Sequence, residues 1–296
     1  MQKVIVIVGQ TAVGKTNLSE KLALLINGEI INGDAMQVYK QLNIVTAKIA
    51  KEDMVNVPHH LFDIKNIDEN YSVEQYQENI RNVINDVLKR GKTPIIVGGT
   101  GLYIKAALYD YNFDKVEISN ADIEKKYQDF DNEQLYKYLQ TIDKESSLTI
   151  HPNNRRRVLR AIAIYETTGK SKSDTIKSQE HKMLYDALIF GLYLPKEKLI
   201  ENINIRVDQM IKDGLIEEIK NNPTTSTASK AIGFKEINNY LQGQTSLQEA
   251  IELIKIHTRQ YAKRQMTWFK NQFNVNWILN DDKAIENIQT IIENTK

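Results

Sequence analysis

The feature that most constrains this chain is a glycine loop between an apolar run and a helical pattern. Five of residues 3 to 8 are Val or Ile, which is typical of a strand buried on both faces of a parallel sheet. Leu18, Leu22 and Leu25 follow at helical spacing. The loop between them consists of Gly9, Gln10, Thr11, Ala12, Val13, Gly14, Lys15 and Thr16. A strand, a loop and a helix in this order predict an α/β fold.

The loop matches the pattern G-x-x-x-x-G-K-[ST], which defines a P-loop. Its glycines let backbone N–H groups converge on phosphate oxygens at a helix N-terminus, and Lys15 adds a positive charge. The Thr16 hydroxyl has the position of a Mg²⁺ ligand. We therefore predict a ligand that carries a diphosphate or triphosphate. The alternative, a glycine-rich turn without a ligand, is disfavoured by the strand and helix around the loop.

Residue patterns after the P-loop predict two more strands and a long helix. Glu29–Asn32 forms a short strand, Ser72 and Gln75 form a capping box at the start of a long helix, and Pro94–Val97 forms a buried strand. The turn Gly98–Gly101 then resembles the first glycine turn in its position. Because the carboxyl ends of parallel strands meet at one sheet edge, we expect the two turns to be neighbours.

The chain changes character between its two ends. Across residues 114–186 Tyr, Lys, Asn and Gln become more frequent and the patterns of buried strands disappear. Alternating strand and helix patterns return from residue 187. We predict a P-loop NTPase-like parallel sheet flanked by helices over residues 1–113 and 187–296, with an inserted all-helical domain over residues 114–186. The last long helix is predicted over residues 246–269.

Composition excludes several classes of protein. The chain has no cysteine, so it has neither disulfides nor thiolate metal sites. No run approaches the ~20 apolar residues of a membrane span, and a loop motif rather than a signal-peptide pattern follows the first apolar stretch. We therefore expect a cytoplasmic protein that does not bind membranes. The net charge is only +1, so a polyanionic partner needs a local basic surface.

Three polar residues near predicted strand or helix ends are candidates for chemistry. Asp34 follows the second strand and could bind Mg²⁺, act as a general base or cap a helix. Thr100 could bind a phosphate or cap the next helix. Arg206 lies beside the apolar face of its helix, where it could pair with an acid or with a diphosphate.

Two basic segments and one histidine pair also stand out. Arg155, Arg156, Arg157 and Arg160 are concentrated after Asn154. Lys255, Arg259 and Lys263 form a ridge on the last long helix. A solvated face is the ordinary interpretation of such runs, and a nucleic-acid phosphate surface is the alternative. His59 and His60 follow Pro58 in a predicted loop; we reject a metal site there, because no further ligand has suitable spacing.

Nine collinear segments together carry a resemblance to a known family. They are GQTAVGKT (9–16), GDAMQVY (33–39), TAK (46–48), VPHHLFD (57–63), GGTGLY (98–103), IHPNN (150–154), RVDQM (206–210), AIGFKE (231–236) and TRQYAKRQMTWF (258–269). In these segments the chain resembles the tRNA dimethylallyltransferases, also called tRNA isopentenyltransferases. The resemblance runs from Val4 to about Lys270.

The resemblance implies a prenyl transfer. Dimethylallyl diphosphate would donate its dimethylallyl group to the N6 amine of the adenosine immediately 3′ of a tRNA anticodon, and diphosphate would leave. The P-loop and Mg²⁺ would hold the diphosphate, and Asp34 would accept the N6 proton. The residues that would neutralise charge on the diphosphate are Thr11, Gly14, Lys15, Thr16, Thr100 and Arg206. The target base would have to flip out of the anticodon loop.

The resemblance also implies which residues contact tRNA. These residues are Asp34, Ala35, Met36, Gln37, Thr100, Arg156, Arg157, Val158, Leu159, Arg160, Lys230, Gly233 and Lys235. The insertion and the last long helix would clamp the anticodon stem-loop, and we expect a monomer. The sequence departs from the family at Ala35, where serine is usual, which removes a hydroxyl from the turn that would bind the base.

Three other functions remain open on the residues alone. A small-molecule P-loop kinase shares the strand, loop and helix but needs an ATP base pocket, an acceptor site and lid arginines. An adenylate prenyltransferase shares the core, yet a free nucleotide needs no basic insertion. A non-enzymatic RNA-binding module is disfavoured by the presence of Lys15, Thr16 and Asp34 together.

Overall fold

The computed structural model describes residues 3–54, 56–111, 120–177 and 182–295. It divides into two compact units, one formed by Met1–Leu108 with Leu184–Lys296 and the other by Tyr109–Met183. The first is an α/β unit and the second is a helical unit. The insertion was predicted to begin at residue 114, five residues after the helical unit begins. It was predicted to end at residue 186, three residues after the helical unit ends. Residues 113 and 114, where the first boundary was predicted, are outside the described residues.

The α/β unit is built on a six-stranded sheet in which every strand pairing is parallel, as the sequence predicted. The order of the strands across the sheet is β3, β2, β4, β1, β5, β6. The strands are β1 (Lys3–Gly9), β2 (Gly28–Asn32), β3 (His59–His60), β4 (Thr93–Gly98), β5 (Asp186–Tyr193) and β6 (Asn276–Leu279).

The centre of this sheet is strand β1, which is buried on both faces from Val4 onward. Its Val and Ile side chains point alternately to the two faces, and both faces are covered by helices, which explains why the strand is a continuous apolar run. Ile5 is in register with Ile95 of β4 and with Leu188 of β5. The carboxyl ends of β2, β4 and β1 are therefore adjacent, and the loops that leave them share one edge of the sheet.

The helices before the insertion begin at the predicted positions. They are α1 (Lys15–Ile26), α2 (Val73–Lys89) and α3 (Gly101–Leu108). The capping box of α2 is confirmed: the Ser72 hydroxyl accepts the N–H of Gln75 at 3.1 Å, and the Gln75 side chain accepts the N–H of Ser72 at 3.0 Å. The N-terminal turn of α1 has no side-chain cap, which leaves its N–H groups available for a ligand.

The helical unit has an apolar cluster of its own. Its helices are α4 (Asn120–Lys126), α5 (Asn132–Ile142), α6 (Lys144–Thr149), α7 (Arg155–Thr168) and α8 (Lys172–Lys177). Leu135 and Leu139 of α5 pack with Val158, Leu159 and Ile162 of α7. Because this core is closed on itself, the unit can be compact without strands of the sheet.

Five further helices complete the α/β unit. They are α9 (Lys196–Lys212), α10 (Leu215–Asn221), α11 (Phe234–Leu241), α12 (Leu247–Gln272) and α13 (Ala284–Asn294). The extent of α12 agrees with the sequence, and Ser246 caps it. Its larger apolar side chains are buried only at Ile254 and Phe269, whereas Leu247, Ile251, Tyr261 and Trp268 are partly buried. The residues that α12 buries are Ala250, Ile254, Thr258, Ala262, Gln265 and Phe269.

No helix among the described residues is long and apolar enough to cross a membrane. The longest, α12, carries charged residues along its length.

Candidate active site

The P-loop joins β1 to α1 at the centre of the sheet. Gly14 has φ = 94°, a left-handed conformation that favours glycine, and it directs the chain into α1. The Lys15 ammonium group donates to the backbone carbonyls of Gly9 at 3.0 Å and Gln10 at 2.7 Å. Thr16 is exposed at the start of the helix. The loop thus gathers an ammonium group, a hydroxyl and an uncapped helix N-terminus within a few residues.

The turn after β2 holds Asp34 by its backbone. The buried side chain of Asn32 accepts the N–H of Asp34 at 2.8 Å and donates to its carbonyl at 3.1 Å. One Asp34 carboxylate oxygen, Oδ1, accepts the N–H of Met36 at 2.9 Å. Asp34 therefore closes a turn with its own backbone and caps no helix, which differs from one of the three predicted roles. In the described part of the chain its Oδ2 has no hydrogen-bond partner.

The glycine turn after β4 lies directly against the Asp34 turn. A Cβ atom added at Gly98 would come within 2.2 Å of the backbone of Gly33, so only glycine allows this approach. Gly33 donates its N–H to Val97 at 2.8 Å, and the Thr100 hydroxyl accepts the N–H of Ala35 at 3.0 Å. Thr100 thus fixes the residue next to Asp34 rather than pointing at the P-loop.

Arg206 of α9 reaches the same edge of the sheet. Its guanidinium group donates to the backbone carbonyl of Thr46 at 3.1 Å, and the Gln37 side chain donates to the same carbonyl at 3.2 Å. Lys48, two residues on, forms an ion pair with Asp63 at 2.6 Å. Neither Arg206 nor Lys15 forms an ion pair with any described residue, so these two cations differ from Lys48.

The segment that carries Thr46 is anchored by Glu218 of α10. The Glu218 carboxylate accepts the backbone N–H groups of Asn43 at 2.8 Å, Ile44 at 2.7 Å and Val45 at 2.9 Å. Three charge-assisted hydrogen bonds to one carboxylate are a strong local restraint. They hold the segment so that the Thr46 carbonyl faces Arg206.

Two cavities meet at Asp34. The larger, of about 1080 Å³, is lined by Lys15, Thr16, Lys48 and Gln209, among others. The smaller, of about 400 Å³, is lined mainly by apolar side chains together with Thr100, Lys230 and Tyr261. The residues that line both are Thr11, Asp34, Thr46, Arg206 and Met210. Each volume is on the scale of a small-molecule site, roughly 300–1000 Å³.

The pKa values of the two cations show how strongly the site favours an anion. Burial lowers the pKa of Lys15 from 10.5 to about 8, although the Asp34 carboxylate acts in the opposite direction, and the positive charge of Arg206 lowers it further. Burial also lowers the pKa of Arg206, again against the influence of Asp34. Lys15 and Arg206 both lie near the Asp34 carboxylate, yet neither forms an ion pair with it among the described residues, so an anion would be attracted to both cations.

Tyr261 of α12 closes the smaller cavity beside Thr100. Burial raises the pKa of the Tyr261 phenol, and the negative charge of Asp34 raises it further. The phenol therefore stays protonated at neutral pH and can donate a hydrogen bond. The guanidinium of Arg264 lies 5.8 Å from the centroid of the Tyr261 ring. A flat aromatic face backed by a cation suits the stacking of a nucleobase.

The donor set fits Mg²⁺ only when a ligand supplies most of the oxygens. The described residues contain no group of three or more His, Cys, Asp or Glu side chains arranged to hold a metal. Thr16 and Asp34 both line the larger cavity. Mg²⁺ in proteins keeps several waters and commonly uses one or two side chains plus substrate phosphates, which matches this sparse set.

The predicted tRNA-contact residues fall into exposed and buried groups. Arg156, Arg157 and Arg160 are exposed on α7. Val158 and Leu159, however, are buried in the core of the helical unit, at 0% and 2% exposure. The prediction that their side chains contact tRNA is corrected: they alternate with the arginines on the opposite face of the same helix.

In the α/β unit a third member of the predicted set, Gly233, is buried. Gly233 is enclosed, and its N–H is donated to Glu236 at 2.9 Å in the capping box of α11. Its role is to start this helix with φ = 109° rather than to touch a ligand. Lys230 and Lys235 are exposed, and Ala35, Met36 and Gln37 are partly buried around the Asp34 turn.

The predicted basic ridge on α12 is mostly structural. Lys255 pairs with Asp208 of α9 at 2.7 Å, and Arg259 donates to the Asn204 side chain at 3.0 Å. These contacts join α12 to α9. Only Lys263 of the ridge is exposed, so the ridge is not the continuous phosphate surface that the four-residue spacing suggested.

Arg155 and the histidine pair are likewise structural. Arg155 pairs with Glu124 at 2.5 Å, which removes it from the free cations of its run. His59 and His60 form strand β3 at the sheet edge rather than a loop, which corrects the sequence prediction. The His60 ring contacts Glu29 at 2.6 Å, and Arg90 pairs with the same carboxylate at 2.6 Å.

Sequence reasoning missed three residues that position the site. They are Asn32, which shapes the Asp34 turn, Tyr261, which lines the smaller cavity, and Gln265, whose side chain contacts both glycine turns. Tyr261 and Gln265 lie within the segment 258–269 that carried the resemblance, but that segment by itself assigned neither residue a role. The signal for Asn32 was its position as the last residue of a buried strand.

Comparison with known proteins agrees with this geometry. The family model for IPP transferase matches residues 37–272. The chain therefore belongs to the IPP transferase family, a family of transferases. Its relatives include the tRNA dimethylallyltransferase of Anoxybacillus flavithermus, 49% identical over 290 residues and covering 96% of this chain and 93% of its own length. That of Bacillus cereus strain AH187 is 46% identical over 300 residues, covering 99% and 95%.

Solved structures of such enzymes have the same fold. The tRNA delta(2)-isopentenylpyrophosphate transferase of Staphylococcus epidermidis is 42% identical, with a TM-score of 0.73 over all of both chains. A eukaryotic dimethylallyltransferase described as acting on tRNA is 33% identical, with a TM-score of 0.85 over 99% of this chain and 79% of its own. The predicted fold class and the resemblance are confirmed.

Proposed function

We propose that this protein transfers the dimethylallyl group of dimethylallyl diphosphate to the N6 amine of the adenosine immediately 3′ of the anticodon in tRNA. The observation that carries the proposal is the position of Asp34 where two cavities meet, with Lys15 on one side and Tyr261 on the other. A carboxylate between an anion site and a site that suits a nucleobase is what a base-assisted transfer from a diphosphate needs.

The diphosphate occupies the larger cavity in this proposal. Lys15, Arg206 and the uncapped N-terminus of α1 neutralise the charge that develops on the leaving group. Because both cations are partly desolvated and form no ion pair with any residue that the structure describes, their attraction for an anion is stronger than that of solvated surface cations. Thr11 and Gly14 contribute the backbone of the loop.

The Thr16 hydroxyl would hold Mg²⁺ together with the diphosphate. When bound, the ion supplies positive charge to the diphosphate and thereby makes it a better leaving group. Thr16 and Asp34 both line the larger cavity, and among the described residues Asp34 is the carboxylate that lines the smaller cavity as well.

Asp34 acts as the general base. The lone pair of an exocyclic adenine amine is delocalised into the ring, so the amine attacks the prenyl C1 only as its proton is removed. The N6–C1 bond forms, the bond from C1 to the diphosphate oxygen breaks, the electron pair leaves with diphosphate, and the N6 proton passes to Asp34. The Oδ1 contact with Met36 fixes the carboxylate and leaves Oδ2 for the proton.

The adenine enters the smaller cavity after flipping out of the anticodon loop, at a cost of a few kcal/mol. Tyr261 offers an aromatic face and Thr100 holds the turn beside Asp34. Elsewhere on the tRNA, the exposed arginines of α7 contact backbone phosphates, and the residues that take this role are Arg156, Arg157 and Arg160. Lys230 and Lys235 are further phosphate contacts near the cavity.

The direct test is transfer of radiolabel from dimethylallyl diphosphate to unmodified tRNA, followed by digestion to nucleosides. We expect label in N6-dimethylallyladenosine from the position next to the anticodon, and none in tRNA whose adenosine there is replaced by guanosine. Absence of label from RNA under conditions where the protein binds tRNA would overturn the proposal.

Two parallel reactions separate the other functions. Labelled phosphate moving from ATP to a small molecule would indicate a kinase, and prenylation of free adenylate would indicate an adenylate prenyltransferase. We expect neither: free adenylate offers no backbone phosphates for the arginines of α7 to bind, and the smaller cavity suits the base that accepts the prenyl group.

A further inference from the structure

The side chain of Gln265 on α12 makes hydrogen bonds with two separate turns of the site. Its carbonyl oxygen accepts the N–H of Thr11, in the P-loop, at 2.8 Å. Its amide nitrogen donates to the carbonyl of Gly99, in the turn after β4, at 3.0 Å. The residue is 5% exposed. A buried glutamine with both ends satisfied is a rigid link, since losing either bond leaves a buried backbone group unpaired.

This link connects the two halves of the reaction. Thr11 belongs to the loop that carries Lys15. Gly99 precedes Thr100, whose hydroxyl holds the N–H of Ala35 next to Asp34. A chain of hydrogen bonds therefore runs from the P-loop, through Gln265, to the turn that carries the carboxylate.

The packing around Gln265 is specific to this arrangement. A Cβ atom added at Gly99 would lie 2.1 Å from the Gln265 amide nitrogen, so the glycine is needed for the glutamine to reach the carbonyl. One turn earlier on α12, the Ala262 carbonyl accepts the Gln10 side chain of the P-loop at 3.2 Å. The helix is thus fixed to the P-loop at two points and to the second turn at one.

We propose that Gln265 is a positioning residue that sets the separation between the diphosphate cradle and the Asp34 carboxylate. This inference rests on the proposed function, because it is the transfer from diphosphate to an amine that requires both groups in place at once. A displacement of about 1 Å in such a site can cost a hundredfold in rate. Gln265 lines the larger cavity, but its two hydrogen bonds go to backbone groups of the two turns, so its main effect is on their alignment.

The test compares Gln265→Met, which keeps the length of the side chain and removes both hydrogen bonds, with the wild type. We expect kcat for label transfer to fall about ten- to a hundredfold. The dissociation constants for inorganic pyrophosphate and for tRNA should stay within about threefold, because each half-site is intact by itself. Gln260→Met, at an exposed position of the same helix, is the matched control and should behave as the wild type.

A second variant, Gln265→Glu, should change the pH dependence of kcat, which a general loss of stability would not do. The protonated carboxyl of Gln265→Glu has an acceptor for Thr11 and an O–H donor for Gly99, whereas the ionised form has no donor. Burial raises the pKa of such a carboxyl. The ratio of its kcat to that of the wild type should therefore rise as pH falls from 8 to 6, and this ratio remains measurable even if Gln265→Met folds poorly.

The outcomes are separable. A wild type that transfers no label ends the proposed function. A wild type that transfers label while Gln265→Met keeps its kcat within twofold, or loses only ligand affinity, ends the positioning role. Two results together would assign Gln265 to stability alone. The first is that Gln265→Met has a lowered melting temperature and regains the wild-type kcat when it is cooled below that temperature. The second is that the ratio of the kcat of Gln265→Glu to that of the wild type does not change with pH.

Discussion

The two units of the molecule use positive charge in contrasting ways. In the α/β unit, Lys15 and Arg206 are partly buried, have lowered pKa values and lack ion-pair partners among the described residues. In the helical unit, Arg156, Arg157 and Arg160 are exposed, and the same helix buries its apolar side chains behind them. A desolvated cation provides strong attraction to an anion at one point, whereas solvated cations add modest, salt-dependent attraction over a surface. The first arrangement suits chemistry and the second suits binding of a polyanion.

The largest effect should come from the carboxylate between the cavities. Asp34→Asn keeps an oxygen for the N–H of Met36 but cannot accept a proton from the amine. We expect kcat to fall by about 10²–10⁴, with tRNA affinity unchanged. Single-turnover label transfer and filter binding measure the two quantities. Asp213→Asn, also on the wall of the larger cavity, is the control. An unchanged kcat for Asp34→Asn would remove this residue from the base role.

The next effect concerns the pH dependence of the anion site. Since the pKa of Lys15 is lowered to about 8, its charge is present below that pH and is lost above it. Binding of inorganic pyrophosphate should therefore weaken by about tenfold per pH unit above 8, relative to Lys15→Arg, whose guanidinium stays charged. Calorimetric titrations from pH 7 to 9.5 measure this ratio. A ratio that does not vary with pH would contradict the lowered pKa.

A smaller effect is expected on the surface of α7. Arg156→Gln with Arg157→Gln should weaken tRNA binding and lower the slope of log affinity against log salt concentration by about 1.5, because two phosphate contacts are lost. The kcat at saturating tRNA should not change. Lys125→Gln with Lys170→Gln removes the same charge from exposed positions of the same unit and should change the slope less. Equal slopes in the arginine variant and the wild type would mean that this face is only solvated.

The smallest effect on activity is expected from the opposite face of the same helix. Leu159→Ala leaves a cavity in the core of the helical unit and should cost about 2–5 kcal/mol of stability. Below the melting temperature its salt slope should equal that of the wild type. Thermal unfolding and the binding assay together test this. If folded Leu159→Ala had a different salt dependence of tRNA affinity from the wild type, the buried and exposed faces of α7 would not act separately.

Most of the α/β frame was predictable because buried parallel strands and glycine turns have distinctive patterns. The P-loop, the Asp34 turn and the capping box of α2 are each formed by residues that are close together in the sequence. The parts that failed depend on distant partners. The charges of Lys255 and Arg259 gave no sign that Asp208 and Asn204 lie opposite, and α12 buries polar side chains such as Gln265 that a hydrophobic pattern overlooks.

The candidate site divides in the same manner. Lys15, Thr16 and Asp34 could be predicted from local sequence, because each follows a strand that ends at the same sheet edge. The resemblance implied that the whole segment 156–160 contacts tRNA, and this segment includes Val158 and Leu159, whose side chains are buried. Their apolar side chains between arginines already indicated a two-sided helix.

The anchoring of residues 43–45 by Glu218 has a consequence for how this protein can vary. All three groups that the carboxylate binds are main-chain N–H groups, so no side chain in that segment is needed for the contact. This contact by itself excludes only proline, although Val45, at 6% exposure, also needs a side chain that fits its buried position. Substitutions at residues 43 and 44 should therefore be better tolerated than substitutions at Glu218, so a helix that does not line the cavity controls the shape of its entrance.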